Sequence, residues 1–559
     1  MSQATARLGG HLVADALVSQ GVSLAFGVPG ESYLSVLDGL YRHADFRFIV
    51  TRHEGGAAFM ADAYAKLTGK PGVCLVTRGP GATNAAIGIH TAQQDSTPLV
   101  LLVGQVGQGV VEREAFQEID YRRMFGNMAK WVAQIDQAER VPEMVAHAFQ
   151  LATSGRPGPV VLALPEDMLA ASANVADARP HQPLQASPSA AQLSQLTSLL
   201  HAARQPIVIA GGSGWSRQAC ADLRLFAEAW QLPVACAFRF QDLFDNQHPL
   251  YAGDVGIGIN PRLAERLRQA DLVLCLGARL GEMTSSGYSL FGIPIPRQQL
   301  VHVHAGVEEL GRVYQAELMI NAGMAEMAAA LRLIPCRHAG YATGAAGARA
   351  DYEAWQGIPP IYLGRQARLD LWQVVMEARQ QLPADTLVCN GAGNFASWAH
   401  RFWRYGSQER GRCQLAPTSG AMGYGLPAGV MASIVAPERT VLVFAGDGDF
   451  LMNGQELATA LQYGGAPIVL LFNNSQYGTI RMHQEKHFPS RVYGTQLHNP
   501  DFARYAESFG ALGLVVETTA QFGPALSQAL AHRRQTGKPA LIELRMDAAD
   551  LAPGLRLAG

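Results

Sequence analysis

The chain carries little charge for its size and no long apolar run. Only 16% of its 559 residues are Asp, Glu, Lys or Arg, and the formal net charge is -2. So even a balance gives no electrostatic reason to expect nucleic acid or an anionic membrane as partner. No apolar run reaches the roughly 18 residues of a membrane span, and no basic stretch followed by an apolar one opens the sequence. The seven cysteines, at 74, 220, 236, 275, 336, 389 and 413, include no C-x-x-C pair. That pattern argues against a disulfide or zinc framework, and buried thiols of a soluble cytoplasmic protein are expected.

What is present is length and a repeated alternation of apolar runs with helical patterns. The chain has room for about three domains of roughly 150 residues. One stretch organises the reading. Thr440–Ala445 is an apolar, β-branched-rich run of the kind that forms a strand buried on both faces. Gly446-Asp447-Gly448-Asp449 follows, its glycines expected to let the backbone turn sharply. A helix is predicted over 453–463 and a second strand over Ile468–Phe472, ending in Asn473-Asn474-Ser475-Gln476. Such a βαβ unit puts Asp447 and Asn474 at the carboxyl ends of parallel strands, where open α/β sheets bind ligands. A carboxylate and an amide oxygen suit a hard cation, and magnesium sharing phosphate oxygens is the natural choice. A calcium loop fails, because Leu451 and Ala458 stand where oxygen ligands belong. Taken alone, the tetrapeptide is equally a tight turn; the paired asparagines favour a ligand site.

The pairing of Gly-Asp-Gly with a double asparagine resembles the signature of thiamine diphosphate enzymes. The resemblance implies three doubly wound parallel-sheet α/β domains: a pyrimidine-binding domain over 1–170, a middle domain over 190–337 and a diphosphate- and magnesium-binding domain over 361–549. Residues 171–190 and 340–360 read as linkers. It implies Mg2+ held by Asp447, Asn474 and the carbonyl of Gln476, with Gly446, Gly448, Asp449, Tyr477 and Gly478 around the diphosphate. It also requires a glutamate for the cofactor's aminopyrimidine ring. Glu54, in Arg52-His53-Glu54 before a small-residue helix, is similar to that segment. A glutamate there is otherwise a first-turn residue meeting the helix dipole. The small residues are expected to let this helix lie against something flat.

Other segments resemble acetolactate synthases within that family. Ala115-Phe116-Gln117-Glu118 is similar to a segment whose phenylalanine and glutamine face the reaction site, although Phe116 also suits a core. Pro29 and Gly30, and Asn84 after Arg78-Gly79-Pro80-Gly81, fall at strand ends that would meet the cofactor or simply turn. Gly391, Ala392, Asn394 and Phe395 align with the loop over the diphosphate. Thr418–Pro427 is a close match, with Gly420 inside it and Met422 at the apolar residue that props the bent cofactor, unless it packs in a core. Departures fall at Glu166, where lysine is usual, at Asn394-Phe395, usually Gln-His, and at His483, usually tryptophan. His483 is placed as a proton donor or a carboxylate-binding group, or else faces solvent. The middle domain departs at Leu280–Met283 and His304 from relatives that hold FAD there, so it is expected to shape a dimer, with FAD as the lesser alternative.

The resemblance implies a carboligase: a 2-oxo acid such as pyruvate is decarboxylated and its remaining fragment joined to a second carbonyl compound. A 2-oxo acid decarboxylase or aldehyde lyase or ligase is the alternative, and a non-catalytic cofactor-binding subunit a third. It also implies a homodimer or homotetramer with sites at subunit interfaces, and small-molecule substrates.

Overall fold

The computed structural model describes residues 6–336, 340–364, 367–406 and 411–557. Expected domain boundaries at residues 1 and 337 fall outside them. Two compact units emerge, Met1–Leu184 and Gln185–Gly559. Among the described residues the first holds one six-stranded sheet and the second two, all strands in them parallel. Covering helices explain the sequence pattern of the strands: Gly72–Val76, Leu99–Gln105, Pro159–Pro165 and Val441–Gly446 are buried at every position. A strand covered on both faces reads as a continuous apolar run and not as an alternation.

In the first unit the sheet order is Arg47–Val50, Leu24–Gly27, Gly72–Val76, Leu99–Gln105, Pro159–Pro165, Trp131–Gln134. In the last sheet it is Gln414–Leu415, Leu387–Asn390, Val441–Gly446, Ile468–Asn473, Ala540–Arg545, Leu512–Val516. Numbered along the chain within each sheet, both orders are 2-1-3-4-6-5. The direction of winding therefore reverses between the first and third strands, and a crevice opens at their carboxyl ends. The middle sheet runs Tyr251–Val255, Val234–Ala237, Pro206–Ala210, Leu272–Leu276, Gln299–His304, Leu318–Asn321, with its reversal between Pro206–Ala210 and Leu272–Leu276.

Three expectations are revised. Residues 340–360, read as a linker, carry the helix Ala342–Trp355, whose Ala345, Ala348 and Tyr352 are buried in the middle domain's cores. Tyr352 meets the Tyr251 ring edge-on at 4.9 Å. Alanine is the best helix former, so an Ala-rich stretch with one aromatic anchor folds onto a sheet as readily as it spans a gap. The helix predicted over 453–463 divides into a 3-10 turn at Gly454–Glu456 and an α-helix at Leu457–Tyr463. Residues Asp447–Phe450 form a helical turn of their own, entered from Gly446 at φ -80°. Gly446 and Gly448 therefore serve close packing and not a sharp reversal.

Candidate active site

In the first unit the candidate residues gather at the crevice between Leu24–Gly27 and Gly72–Val76. Pro29 and Gly30 follow the first of these strands, and the Val28 carbonyl accepts a hydrogen bond from Tyr33 Oη at 2.5 Å. After the second strand, Gly79 takes φ +55° and starts the helix Pro80–Asp95. An L side chain rarely adopts that conformation, which accounts for glycine there. Glu54 is the first residue of the helix Glu54–Thr68, capped by His53 Nδ1 accepting from Gly55 N at 3.0 Å. Its Oε2 accepts from Asn84 Nδ2 at 2.9 Å. The small residues behind Glu54 let its helix pack closely on a neighbouring helix. A Cβ on Gly88 would lie 2.3 Å from that of Ala58. This close approach brings Asn84 to Glu54.

Phe116 is 71% exposed, which removes its reading as core. Gln117 stands at φ +67°, with its carbonyl where a Gly79 side chain would be. Arg78 Nε donates to the Phe116 carbonyl at 3.1 Å, and Arg78 is ion-paired with Glu166 and with Glu31. Glu54, Asn84, Phe116 and Gln117 thus surround one strand-end turn.

In the second unit Gly446 pairs with Phe472 across parallel strands, which brings Asp447 level with the Asn473–Gln476 loop. The buried Asp447 accepts from Gly448 N at 3.0 Å and from Asn499 Nδ2 at 2.7 Å. Asn499 Nδ2 also donates to Asn473 Oδ1 at 3.0 Å, tying the two strand ends together. Burial pushes the Asp447 carboxyl above its usual range, against hydrogen bonds from Asn499, Gly448 and Ser475. Desolvation that penalises an ionised carboxylate is relieved by a cation. Asn499 Oδ1 is buried and has no hydrogen-bond partner. A desolvated carboxylate held by Asn499 and level with the Asn474 amide and the Gln476 backbone fits a magnesium ion completed by phosphate oxygens. Asn474 Oδ1 accepts from Gln476 N at 3.2 Å, and the Gln476 side chain is engaged with Ala548 O and Arg481 Nη1. A role for Gln476 at the metal therefore falls to its backbone.

Asp449 has a different task. Its Oδ1 accepts from Ala392 N at 3.0 Å and Gly423 N at 2.9 Å, and burial raises its carboxyl to about 7. It fastens two loops, one carrying Gly391 and Ala392, the other Gly420 and Met422. Arg239 joins them, donating to Gly391 O at 3.1 Å and to the Pro417 carbonyl. Gly420 is exposed at φ +69° and Met422 is half-buried, so Met422 is not a full core residue. Asn394 N donates to Thr479 Oγ1 at 3.0 Å. Phe395 stacks on Phe472 at 6.1 Å and lies where a Gly446 side chain would be, so its ring serves packing. The Tyr477 ring closes on Gly448, 2.6 Å from where a Cβ would stand. Gly478 opens the helix Gly478–His487, and a Cβ there would lie 2.9 Å from Asn474 Nδ2. His483 is exposed on that helix, its ring parallel to His487 at 6.4 Å.

In the middle sheet a Cβ on Gly212 would lie 2.0 Å from the Gly277 carbonyl oxygen, and Arg279 is ion-paired with the buried Glu309 at 3.2 Å. The loops at this reversal are packed on each other. Asn499 and Arg239 were missed from the sequence: each lies far along the chain from the loops it ties and belongs to no local pattern.

The thiamine pyrophosphate enzyme family matches in three parts. Its N-terminal TPP binding domain covers residues 7–124, its central domain 193–331 and its C-terminal TPP binding domain 391–544. The chain is similar to the acetolactate synthase large subunit of Corynebacterium glutamicum, at 31% identity over 96% of this chain and 86% of that one. It is also 32% identical to the acetolactate synthase large subunit of Parasynechococcus marenigrum, over 96% and 87%. With the Escherichia coli acetolactate synthase isozyme 2 large subunit it shares 31% identity over 93% of both chains.

Proposed function

This chain belongs to the thiamine pyrophosphate enzymes, as a carbon–carbon bond-forming member similar to the acetolactate synthase large subunits, and on that footing we propose that it is a magnesium-dependent carboligase of 2-oxo acids. The donor is pyruvate or a similar 2-oxo acid, and the acceptor a second carbonyl compound. When bound, thiamine diphosphate supplies the electron sink for decarboxylation and carbon–carbon bond formation. Asp447, Asn474 and the backbone carbonyl of Gln476 hold the magnesium and through it the diphosphate, inside the loops that Asp449 fastens. Met422 supports the cofactor from the second of those loops. Glu54, steadied by Asn84, exchanges a proton with N1′ of the pyrimidine. Phe116 and Gln117 border the acceptor, and His483 meets its carboxylate or supplies a proton. The domains follow the boundaries 1–170, 190–337 and 361–549, with the helix Ala342–Trp355 added to the middle one, and the working form is a cytoplasmic homodimer or homotetramer whose partner subunits complete the sites.

The observation that carries this reading is the buried Asp447 carboxylate linked through Asn499 to the double asparagine. A tight turn needs no such link. The test is to incubate the purified protein with thiamine diphosphate, magnesium and pyruvate, with and without an aldehyde, and identify the products by mass. Acetolactate or a mixed hydroxyketone supports carboligation. Release of acetaldehyde alone, unaffected by acceptor, would make it a decarboxylase.

A further inference from the structure

We infer that Arg78 is a positioning residue for acceptor selection, clamped by Glu166 and Glu31 so that it holds Phe116 and Gln117 at the edge of the site. The clamp rests on the geometry of the first unit alone; its consequence for the acceptor rests on the carboligase reading.

The segment from 112 to 120 lies outside strand and α-helix and is wound unusually tightly. Glu112, Glu114 and Gln117 stand at φ 62°, 55° and 67°. None is glycine, and such conformations persist only where the surroundings impose them. Several ties impose them here. The Glu118 carboxylate accepts from Glu112 N at 2.7 Å and Ala115 N at 3.0 Å, closing the segment on itself. Gln105 Nε2 donates to Ile119 O at 2.8 Å, and Gly79 N to Tyr121 Oη at 2.9 Å, fixing its far end. Arg78 reaches the part that presents Phe116 and Gln117, through Nε to the Phe116 carbonyl at 3.1 Å.

Arg78 extends from the carboxyl end of Gly72–Val76, and its side chain is only 9% exposed. Its Nη1 is ion-paired with Glu166, which follows Pro159–Pro165, and its Nη2 with Glu31, which follows Leu24–Gly27, at 3.4 Å. Three strand ends therefore meet on one guanidinium, and a fourth direction is left for Phe116. A planar fork with donors on several edges does this, and an ammonium does not. Two carboxylates that reach the surface also face the buried guanidinium and balance its charge, so its effect on an acceptor is mechanical. Glutamate at 166, where the resemblance leads one to expect lysine, thereby has a physical reason: a lysine there would confront Arg78 with like charge.

The full-length protein carries the test, with Arg78→Met, Arg78→Lys and Glu166→Gln compared with the parent chain. Hydrogen–deuterium exchange of peptides spanning 112–121 reads the clamp with no appeal to catalysis. We expect exchange there to rise about tenfold or more in Arg78→Met, the size of a lost hydrogen bond to a charged group. Arg78→Lys should restore little of it and Glu166→Gln should fall between, while the peptide 54–68 is unchanged. With pyruvate as donor and acetaldehyde or 2-oxobutanoate as acceptor, the acceptor KM should rise in step and the donor KM stay level. Unchanged exchange over 112–121 would overturn the clamp, and a loosened segment with an unaltered acceptor KM would overturn its role in selection. If Arg78→Met does not fold, Glu166→Gln decides by the same comparison. A parent protein that ignores thiamine diphosphate and pyruvate would refute the carboligase reading, while the exchange measurement still decides the clamp.

Discussion

Asn84 donates its side-chain amide to the Glu54 carboxylate at 2.9 Å, across two helices that touch through glycine and alanine. One carboxylate oxygen is thereby held, and the other, Oε1, lies 3.4 Å from where a Gly81 Cβ would stand. A glutamate at a helix start ordinarily projects into solvent and samples several rotamers. This one has a fixed direction before any ligand arrives, which is what a proton-exchanging group at a single ring nitrogen needs.

Replacing Glu54 separates chemistry from anchoring. Glu54→Gln keeps the shape and a hydrogen-bond acceptor for Asn84 but removes the titrating oxygen. Turnover of pyruvate is expected to fall roughly 10²- to 10⁴-fold, with thiamine diphosphate affinity by calorimetry little changed. Unaltered turnover would take Glu54 out of the mechanism.

Asp447 and Asn499 should behave as ligand and supporting partner. Asp447→Ala is expected to abolish magnesium-dependent thiamine diphosphate binding. Asn499→Ala leaves the carboxylate in place but unties it from Asn473, and should weaken binding about 10- to 100-fold. Magnesium titrations monitored by cofactor-induced tryptophan fluorescence check both, and equal effects of the two changes would contradict the assignment.

For Asp449 the expected damage is structural first. Asp449→Ala strips the Ala392 and Gly423 amides of their acceptor, each exposed to a penalty of about 1–3 kcal/mol if it stays buried. The variant should melt earlier even without cofactor, and Asp447→Ala, which strips Gly448 N and Asn499 Nδ2 of an acceptor, should do so too, but only Asp447→Ala should lose the further rise in melting temperature on adding magnesium and thiamine diphosphate. Thermal melts of both variants in EDTA and with magnesium and cofactor make the comparison.

His400 gives a pH dependence of known sign. The residue is buried, its ring edge-on to that of Phe238 at 5.5 Å and near Arg239, and burial holds it well below its usual titration range. The unfolded chain takes up a proton on this histidine near pH 6.5 and the folded chain does not, so this contribution is constant above that pH and is lost as pH falls below it. The slope is roughly 1.4 kcal/mol per pH unit. His400→Gln should therefore flatten the decline in melting temperature between pH 6.5 and pH 5 relative to the parent, and identical slopes would show that the ring protonates in place.

Much of this was legible in the chain. The strands expected at Thr440–Ala445 and Ile468–Phe472 form at Val441–Gly446 and Ile468–Asn473, within one residue at each end, because strands buried on both faces leave uninterrupted apolar runs. Gly-Asp-Gly and the double asparagine were legible because a strand end and its ligand-facing loop are contiguous in sequence. Trp131–Gln134 and Leu318–Asn321 were not, being short edge strands with part-exposed faces. Asn499 and Arg239 escaped for another reason. Each acts by reaching a loop tens of residues or more away, and nothing local distinguishes an asparagine before a proline, or an arginine after a strand, that will do so. The exposure of Phe116 was also hidden, since an aromatic in an irregular segment reads alike whether it fills a core or faces a ligand.

The strand order has a consequence for how the protein is made. In both the first and the last sheet the final strand in sequence is wedged between two earlier ones: Pro159–Pro165 separates Leu99–Gln105 from Trp131–Gln134, and Ala540–Arg545 separates Ile468–Asn473 from Leu512–Val516. Until the ribosome has released those closing strands, the growing chain holds a sheet with a gap in its interior and two bare edges facing it. A chain that stopped short of Ala540 would lose a keystone and not a margin, and the exposed edges are the kind that pair with other chains. Premature termination near the end of the message should therefore yield aggregates in place of a slightly shortened enzyme.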